Sequence, residues 1–362
     1  MSIIDADSRY AHRRQYPNEE QLPLSVPGFG APNGLPVEPS APAIGPFISH
    51  FASQDWLILG FFATQMVALA FGRGPGRGAS LLRVAMDLAL YFFVLTVIRL
   101  PILRWGSAAS SLVYRSAVVL AVVGSYFQLR DILPAVSPWW DDASIYSFDL
   151  RVFRFEPAVW LDRFVSPITT EWFAFFYFLY FLILIVHVLP MVFLAHDRRV
   201  LGRFSVGLLL VFLTAHLFYM AVPGWGPYWF LKGAFEHELR GGMFWRWVRE
   251  AVEAGGAQKD IFPSLHTAVP TFLAIFSFRH RKLTPFQFTW PVLAFFASQI
   301  IVATMFLRWH YLVDVVGGLT LAVGAAIVGQ KIADWESAKR ERGGRQSAWT
   351  PLVYPWRSSS LR

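Results

Sequence analysis

The stretch "RWHYLVDVVGGLTLAVGAAIVG" at residues 308–329 combines the apolar length of a membrane span with ionisable groups at its mouth. Residues 311–332 form an apolar run of about the twenty residues that a transmembrane helix needs. His310 and Asp314 stand at the start of this run, four residues apart, and therefore share one helical face. Because ionisable residues within a membrane helix are costly, this pair indicates a functional site.

The composition of the whole sequence predicts a membrane protein. Of the 362 residues, 55% are hydrophobic and only 15% are charged, whereas soluble proteins carry roughly 25% charged residues. Apolar runs of spanning length occur near 55–72, 84–103, 112–129, 170–195, 203–222, 264–279, 286–307 and 311–332. We therefore expect an all-α, polytopic membrane protein with a six-helix core and an extra N-terminal helical hairpin. The absence of cysteine excludes disulfides and thiol chemistry.

Four regions follow from this pattern. We expect a disordered tail over 1–50, a transmembrane hairpin over 51–108, a membrane core over 109–335 and a basic tail over 336–362. The first region is polar and Pro-rich and lacks the apolar stretch of a signal peptide. Within the core, segment 139–165 mixes aromatic and charged residues at close spacing, which predicts an amphipathic element in the membrane interface.

The distribution of Lys and Arg predicts the orientation. The loops "HDRRVLGR" (196–203) and "RHRK" (279–282) and the segment 331–345 fall on one side if the later spans alternate, and a positive excess marks the cytoplasmic side. The N- and C-termini are then cytoplasmic. The ends of the spans that carry His266 and His310 are then extracytoplasmic. We expect the protein to be located in the inner membrane of a bacterium.

One loop disagrees with this orientation. The stretch "GRGPGRGASLLR" at 72–83 puts Arg73, Arg77 and Arg83 on the extracytoplasmic side. Either the first hairpin is not a clean pair of spans, or these arginines meet lipid headgroups. The net charge of +8 is divided among short clusters between spans, a pattern that argues against a nucleic-acid partner.

A second stretch, "FPSLHT" at 262–267, brings another histidine to the site. His266 stands at the mouth of its own apolar run, and alternation of the spans puts it at the same end and depth as His310. Asp314 can accept a hydrogen bond from one nitrogen of His310 and raise the basicity of the other. This arrangement predicts nucleophilic catalysis. His187 and His216 have no such neighbours in the sequence and are interpreted as packed polar residues.

These motifs resemble a known family. "PSLHT" and "RWHYLVDVVGG" are similar to the second and third signature motifs of the phosphatidic acid phosphatase type 2 superfamily, and more narrowly of its inositol phosphorylceramide synthase-like branch. "VPGWGPYW" (222–229) resembles the first motif of that branch, and "FDLRVFRFEPAVWLDRF" (148–164) resembles its interfacial segment. The resemblance covers about residues 110–335.

The resemblance implies transfer of a phospho-headgroup, such as phosphoinositol, from a membrane phospholipid donor to a hydroxyl-bearing lipid acceptor, such as ceramide or a glycerolipid. His310 would attack phosphorus and form a phosphohistidine, with Asp314 orienting it. His266 would protonate the departing alkoxide and then deprotonate the incoming hydroxyl. No metal and no other cofactor is expected.

The chain departs from the superfamily pattern in its phosphate-binding cations. It has no Arg-Pro dipeptide of the usual first motif, and Thr304 stands where the third motif has an arginine. Arg308 and the Ser264 hydroxyl are therefore predicted to bind the substrate phosphate, because fixed donors stabilise charge on phosphoryl oxygens. Lys232 and Lys259 are further candidates from the loop 223–262.

Four residues are predicted at the headgroup site or its entrance, namely Trp225, Tyr228, Asp149 and Arg151. For Asp149 and Arg151 the simpler interpretation is a solvated face of the amphipathic element. Two other functions stay open at this point. A lipid-phosphate phosphatase would use water in place of the lipid acceptor, and a transporter or non-catalytic scaffold would keep these residues only as polar helix contacts. The sequence predicts no oligomeric state.

Overall fold

The computed structural model describes residues 50–99, 107–345, 347–350 and 352. Within these ranges the secondary structure is helical and contains no strand. The α-helices are α1 (Ser53–Phe71), α2 (Arg77–Arg99), α3 (Ser107–Val136), α4 (Asp142–Phe153), α5 (Pro157–Leu161), α6 (Pro167–Ile183), α7 (Leu189–Leu194), α8 (Arg198–Ala221), α9 (Pro227–Phe230), α10 (Met243–Gly255), α11 (Leu265–Arg279), α12 (Phe286–Phe306) and α13 (Leu312–Arg342). Apart from position 50, the tail expected over 1–50 lies outside the described residues.

The chain is a multi-pass, all-α membrane protein. Seven helical segments of the described ranges are long and apolar enough to cross a membrane, and they comprise α1, α2, α3, α6 with α7, α8, α12 and α13. The eighth expected span is α11, whose 15 residues fall short of the about twenty that a bilayer requires. α11 packs against α6, α8, α12 and α13. Because neighbouring helices surround it, α11 is the centre of the core and does not need the length of a lipid-facing span.

The N-terminal hairpin is a pair of helices of spanning length. α1 and α2 pack against each other, and α1 also packs against α3 and α8. Arg83, in the second turn of α2, forms an ion pair with Asp131 of α3 at 2.5 Å, and Arg77, the first residue of α2, donates to the carbonyl of Gly72 at 3.2 Å. α1 and α2 therefore have the length and composition expected of a pair of spans, and the side of the membrane on which the basic loop lies stays a prediction.

Two glycines of α13 set how closely its neighbours approach. A Cβ on Gly329 would lie 2.6 Å from the Cα of Gly207, so the backbones of α8 and α13 touch there. A Cβ on Gly318 would lie 2.6 Å from the carbonyl oxygen of Ser264. The start of α13 and the "FPSLHT" segment are therefore pressed together, with the mouths of α11 and α13 at one end of the bundle. We call this the site end.

The interfacial segment 139–165 lies at the site end. Most of its acidic residues face the protein, and several of its aromatic residues face outward. Asp142 and Asp149 of α4 are fully buried, whereas Trp140 and Phe148 are about half exposed. The expectation of a solvated charged face is therefore wrong for Asp149, whereas Arg151 is exposed as expected. Backbone N–H groups of the neighbouring loops need acceptors where water is excluded, and the carboxylates turn inward to supply them.

α13 extends across the boundary that was expected between core and tail at 335/336. Its last two turns are held by Glu336, which accepts from the backbone N–H of Ser53 at 2.5 Å and pairs with Arg340 at 2.7 Å. The helix therefore continues as one rod to Arg342, and residues 336–342 are part of the folded unit. These contacts lie at the end of the bundle opposite the site end.

Candidate catalytic site

The starts of α11 and α13 bring the two predicted histidines together. His266 lies in the first turn of α11, and His310 lies just before α13, with 6.4 Å between their ring centroids. The backbone N–H of Ser264 donates to the carbonyl of Asp314 at 3.0 Å, which ties the two segments directly. The meeting of these side chains therefore follows from how "FPSLHT" packs on α13.

Asp314 lies beneath His310. Its Oδ2 atom accepts the backbone N–H of Tyr311 at 2.9 Å and lies 3.5 Å from Nδ1 of His310. The latter distance is longer than a strong hydrogen bond, and catalytic hydrogen bonds commonly tighten only when substrate is bound. Asp314 is fully buried and His310 is 4% exposed. Since Nδ1 faces the carboxylate, Nε2 is the nitrogen of His310 that is left for chemistry.

His310 is a neutral imidazole at neutral pH. Burial lowers its pKa to about 4, against smaller opposing effects of Asp260 and of the Ile261 carbonyl. A neutral ring has the lone pair that a nucleophile requires. The arrangement therefore suits attack by His310 on an electrophilic centre such as phosphorus.

His266 is held by two tyrosines of α6. Its ring stacks on Tyr177 with centroids 4.2 Å apart and lies 4.3 Å from the ring of Tyr180. The Tyr177 hydroxyl is 3.3 Å from Nδ1 of His266, while Nε2 is buried and has no hydrogen-bond partner in the described part of the chain. A fixed ring with one open nitrogen can carry a proton to or from a substrate oxygen.

One cavity contains both histidines, and aromatic side chains form much of the rest of its lining. They include the side chains of Tyr126, Tyr177, Trp225, Trp229 and Trp309. Among the described residues, no Lys or Arg lines this cavity, and its one carboxylate is Asp260. Of the predicted headgroup residues, Trp225 is in the wall, whereas Tyr228 stacks behind the wall on Trp309 at 4.9 Å between centroids.

Arg308 was expected to bind phosphate, but it is held elsewhere. Its guanidinium donates through Nη2 to Asp162 and to the carbonyl of His237, both at 2.6 Å, and it lies 3.9 Å from the ring centroid of Phe235. Its backbone has a φ of 66° and its carbonyl accepts the N–H of Tyr228 at 2.6 Å. Arg308 thus turns the chain between α12 and α13 and does not line the cavity.

The remaining phosphate-binding candidates also lie outside the cavity wall. The ammonium of Lys259 donates to the carbonyl of Trp139 at 3.1 Å and lies 5.4 Å from the ring centroid of Trp225, and burial lowers its pKa. Lys232 is exposed in the turn after α9. Ser264 is fully buried, and its hydroxyl oxygen caps α11 by accepting the N–H of Thr267 at 3.3 Å. The structure therefore brings together His266, His310 and Asp314 but none of these four groups.

Asp149 and Arg151 lie outside the cavity wall. Asp149 accepts the backbone N–H groups of Leu312 at 2.7 Å and Val313 at 3.0 Å, and so caps α13. Arg151 is exposed on the other face of α4 and donates to the carbonyl of Ser147 at 3.2 Å. Asp149 acts on the site through the position of α13, because the orphan N–H groups at a helix start require acceptors.

Asp149 is one of four carboxylates that hold the loops around the cavity, and we call the set Asp142, Asp149, Asp162 and Glu171 the carboxylate frame. Asp142 accepts from the backbones of Trp225 and Gly226 and from the Tyr311 hydroxyl, at 2.8–3.0 Å. Asp162 accepts from the backbones of Glu236 and His237, and Glu171 accepts from those of Gly242, Phe244 and Trp245. Each frame carboxylate therefore receives at least two backbone N–H groups.

Sequence reasoning missed the frame and also missed Asp260, Tyr177 and Tyr180. The one available signal was the density of Asp and Glu in segment 139–165, which was interpreted as solvated charge. No local signal pointed to the tyrosines, because they meet His266 across about ninety residues of chain.

Residues 143–328 of the chain match the family described as the PAP2 superfamily. Comparisons with curated proteins and with solved structures gave no match. The matched range runs from α4 into α13 and contains His266, His310 and Asp314. Since it covers slightly more than half of the sequence, this chain belongs to the PAP2 superfamily.

Proposed function

We propose that this protein transfers a phospho-headgroup, with phosphoinositol as the candidate group, from a membrane phospholipid to a hydroxyl-bearing lipid, in the manner of the inositol phosphorylceramide synthase-like branch. Membership of the PAP2 superfamily supports a lipid phosphatase or phosphotransferase type of function. The observation that carries the proposal is the meeting of His266 and His310 at one cavity, with Asp314 beneath His310. The ring centroids of the two histidines are 6.4 Å apart, which leaves room for one phosphoryl group between an attacking nitrogen and a proton-donating one.

In the first step, the Nε2 lone pair of His310 forms a bond to phosphorus while the bond from phosphorus to the glycerol oxygen breaks. His266 must hold a proton for this step, against the effects of its burial and of the neighbouring His310, and the negative charge of the bound phosphodiester favours its charged form. It gives that proton to the glycerol oxygen, and diacylglycerol leaves. The positive charge on the His310 ring is stabilised by Asp314 at Nδ1. The product is a phosphohistidine that carries the headgroup.

In the second step, His266 takes the proton of the acceptor hydroxyl as its oxygen attacks phosphorus, and the bond between nitrogen and phosphorus breaks. His310 returns to its neutral form and His266 to its protonated form. The tryptophan-rich part of the cavity wall supports a lipid acceptor, because aromatic side chains pack favourably against the apolar part of a lipid. In a phosphatase, water would take the place of the acceptor in this step alone.

The decisive experiment uses the purified protein in liposomes with phosphate-labelled phosphatidylinositol and ceramide. We expect label in a new phospholipid, and we expect this product to depend on added ceramide. Label that appears only as a water-soluble phosphate would support the phosphatase instead. Label that stays in phosphatidylinositol would support a non-catalytic role.

A second measurement tests the nucleophile directly. In the variant His266→Ala, a phosphodiester with a nitrophenolate leaving group needs no acid for the first step but still lacks the base for the second. We therefore expect the phospho-group to remain on His310, where peptide mass spectrometry can find it. Label on any other residue would contradict the assignment, and His310→Ala should take up none.

We also propose that the site end faces away from the cytoplasm, since the opposite end carries the clusters 196–203 and 279–282. Because the chain has no cysteine, a single introduced thiol is unique. Gly233→Cys lies at an exposed position in the loop of the site end, with nothing within 4 Å of the added Cβ. A membrane-impermeant maleimide added to intact cells should label this variant and leave Lys282→Cys unlabelled. The reverse pattern would invert the orientation.

A further inference from the structure

Asp260 is a carboxylate of the catalytic cavity that the reaction described above does not use. It lies six residues before His266 and lines the same cavity as His266 and His310. Its side chain is partly exposed to that cavity. In the described part of the chain it forms no ion pair and no hydrogen bond to another residue, in contrast to the carboxylates of the frame.

The groups around Asp260 supply no compensating positive charge. Burial raises its pKa, against the opposing effects of its own backbone N–H and of His310. The other titratable groups that face it are phenols and one imidazole, namely Tyr126 of α3, Tyr177 and Tyr180 of α6, Tyr219 of α8 and His266 of α11. Phenols are neutral at pH 7. The nearby cations are engaged elsewhere, Arg308 with Asp162 and Lys259 with the Trp139 carbonyl.

The charges around the cavity distinguish two classes of lipid phosphate. A phosphomonoester has a second ionisation near pH 6 and carries close to two negative charges at neutral pH, whereas a phosphodiester carries one. Each additional negative charge next to an ionised carboxylate that has no counter-charge is strongly unfavourable in a site of low dielectric. A group that penalises the wrong ligand is as effective for selectivity as one that attracts the right ligand.

We propose that Asp260 is a specificity-determining residue that disfavours doubly charged phosphomonoesters and so commits the cavity to singly charged phosphodiester lipids. This inference rests on the proposed lipid-phosphate chemistry of the site. It names the substrate class by charge and is independent of whether a lipid or water accepts the phospho-group.

The test compares two ligands that differ in one ionisable oxygen, dihexanoylphosphatidic acid and dihexanoylphosphatidylmethanol. Binding is measured on the full-length protein in detergent by thermophoresis, in a His310→Ala background so that no turnover interferes. At pH 8 we expect the phosphodiester to bind at least tenfold more tightly than the phosphomonoester. Asp260→Asn should reduce this ratio to about threefold or less, as should lowering the pH to 5, where both ligands carry one charge.

Controls separate charge from shape and folding. Asp260→Glu keeps the charge and should keep the ratio, as should Glu253→Gln, which removes an exposed charge on α10. If Asp260→Asn does not fold, Asp260→Ser is the second neutral variant, with thermal unfolding as the check. The proposal is overturned if the ratio at pH 8 is near one, if it survives in the neutral variants, or if neither ligand binds. Failure of the transfer assay with this ratio intact would instead count against the proposed reaction alone.

Discussion

The cavity that contains the two histidines and the carboxylate frame around it differ in whether their buried polar atoms have hydrogen-bond partners. In the frame, each of Asp142, Asp149, Asp162 and Glu171 accepts at least two backbone N–H groups. At and directly beneath the cavity, Nε2 of His266, Nδ1 of His310 and Oδ1 of Asp314 have no hydrogen-bond partner among the described residues. Buried polar groups in proteins are normally satisfied, so unsatisfied ones require a reason.

The two regions explain each other. The frame carboxylates belong to the segment that runs from α4 to α6. They bond to the loop after α8, to Arg308 and to the start of α13, so the backbone that carries His310 is held from outside the cavity. His266, His310 and Asp314 then need no strong mutual hydrogen bonds to stay in place. Nε2 of His266 and Nε2 of His310 are available to a substrate, while Nδ1 of His310 faces Asp314. A preorganised site of this kind reorganises little during the reaction. Substitutions in the cavity should therefore affect activity, and substitutions in the frame should affect stability first.

The largest effect is expected for His310→Ala. Removing the nucleophile should lower the transfer rate by at least about 10⁴-fold, as loss of a covalent catalyst does in other enzymes. The midpoint of thermal unfolding should stay the same or rise, because an unsatisfied buried nitrogen disappears. His196→Ala, an exposed histidine at the opposite end, is the control for both measurements. A large loss of stability in His310→Ala would mean that the cavity residue is structural.

The second effect concerns Arg308, for which the sequence and the structure give different roles. Burial alone would raise the pKa of Asp162, but hydrogen bonds from His237 and Glu236, together with Arg308, hold it below its usual range. Breaking such a buried pair costs about 3–5 kcal/mol. We expect Arg308→Gln and Asp162→Asn each to lower the free energy of unfolding by about that amount, and the double variant to lose little more than either.

Kinetics on the same variants decide between the two roles. If Arg308 bound the substrate phosphate, Arg308→Gln would raise KM strongly, while Asp162→Asn would leave KM unchanged or lower it. If Arg308 belongs to the frame, both variants change KM and kcat alike. Measuring both constants at a temperature where all variants are folded distinguishes these outcomes.

Arg308 also shows where prediction from sequence stops. The span lengths, the i,i+4 spacing of His310 and Asp314 and the alternation of spans are local or periodic features, and they predict the helical class and the end at which both histidines lie. The partner of Arg308 is 146 residues away in sequence, and no spacing rule connects the two. Adjacency to His310 favoured a phosphate-binding role, and the long-range ion pair with Asp162 occupies the guanidinium instead.

The interfacial segment was misread for a related reason. An amphipathic pattern states that charged and aromatic residues occupy different faces, but it does not state which face meets the protein. Here the loop at 225–226 and the start of α13 at 312–313 present backbone N–H groups to α4, so Asp142 and Asp149 turn inward. The N–H groups that need these acceptors belong to segments far along the chain, so a sequence window around α4 does not contain them.

A third, smaller effect is expected for Asp149→Asn. The amide has one acceptor oxygen where the carboxylate uses two, and its NH₂ would face the N–H groups of Leu312 or Val313. We expect the free energy of unfolding at pH 7 to fall by about 1–3 kcal/mol. The catalytic rate should fall as well, because the start of α13 carries Asp314. Asp141→Asn is the matched control, since its side chain caps nothing.

The pH dependence of stability sharpens this prediction. Burial raises the pKa of Asp149 to about 6, against the opposing effect of the two backbone N–H groups, so between its ordinary pKa and 6 the folded state binds more protons than the unfolded state. The contribution of Asp149 to stability is therefore greatest at low pH and decreases as the pH rises through 6. Thermal unfolding between pH 4 and 7 should show this decrease in the wild-type protein and a smaller one in Asp149→Asn. Equal slopes would contradict the assignment.

The smallest effect tests the outer limit of the frame. Arg83 and Asp131 form an ion pair at the site end, but their side chains are 53% and 47% exposed. Exposed pairs contribute at most about 1 kcal/mol and weaken with salt. Arg83→Gln should therefore shift the unfolding midpoint only slightly, and less at high ionic strength, with no change in kcat or KM. A loss of stability as large as that of Asp149→Asn would mean that the N-terminal hairpin also holds the cavity in place. Tyr126 of α3 lines the cavity, and the position of α3 would then depend on its ion pair with α2.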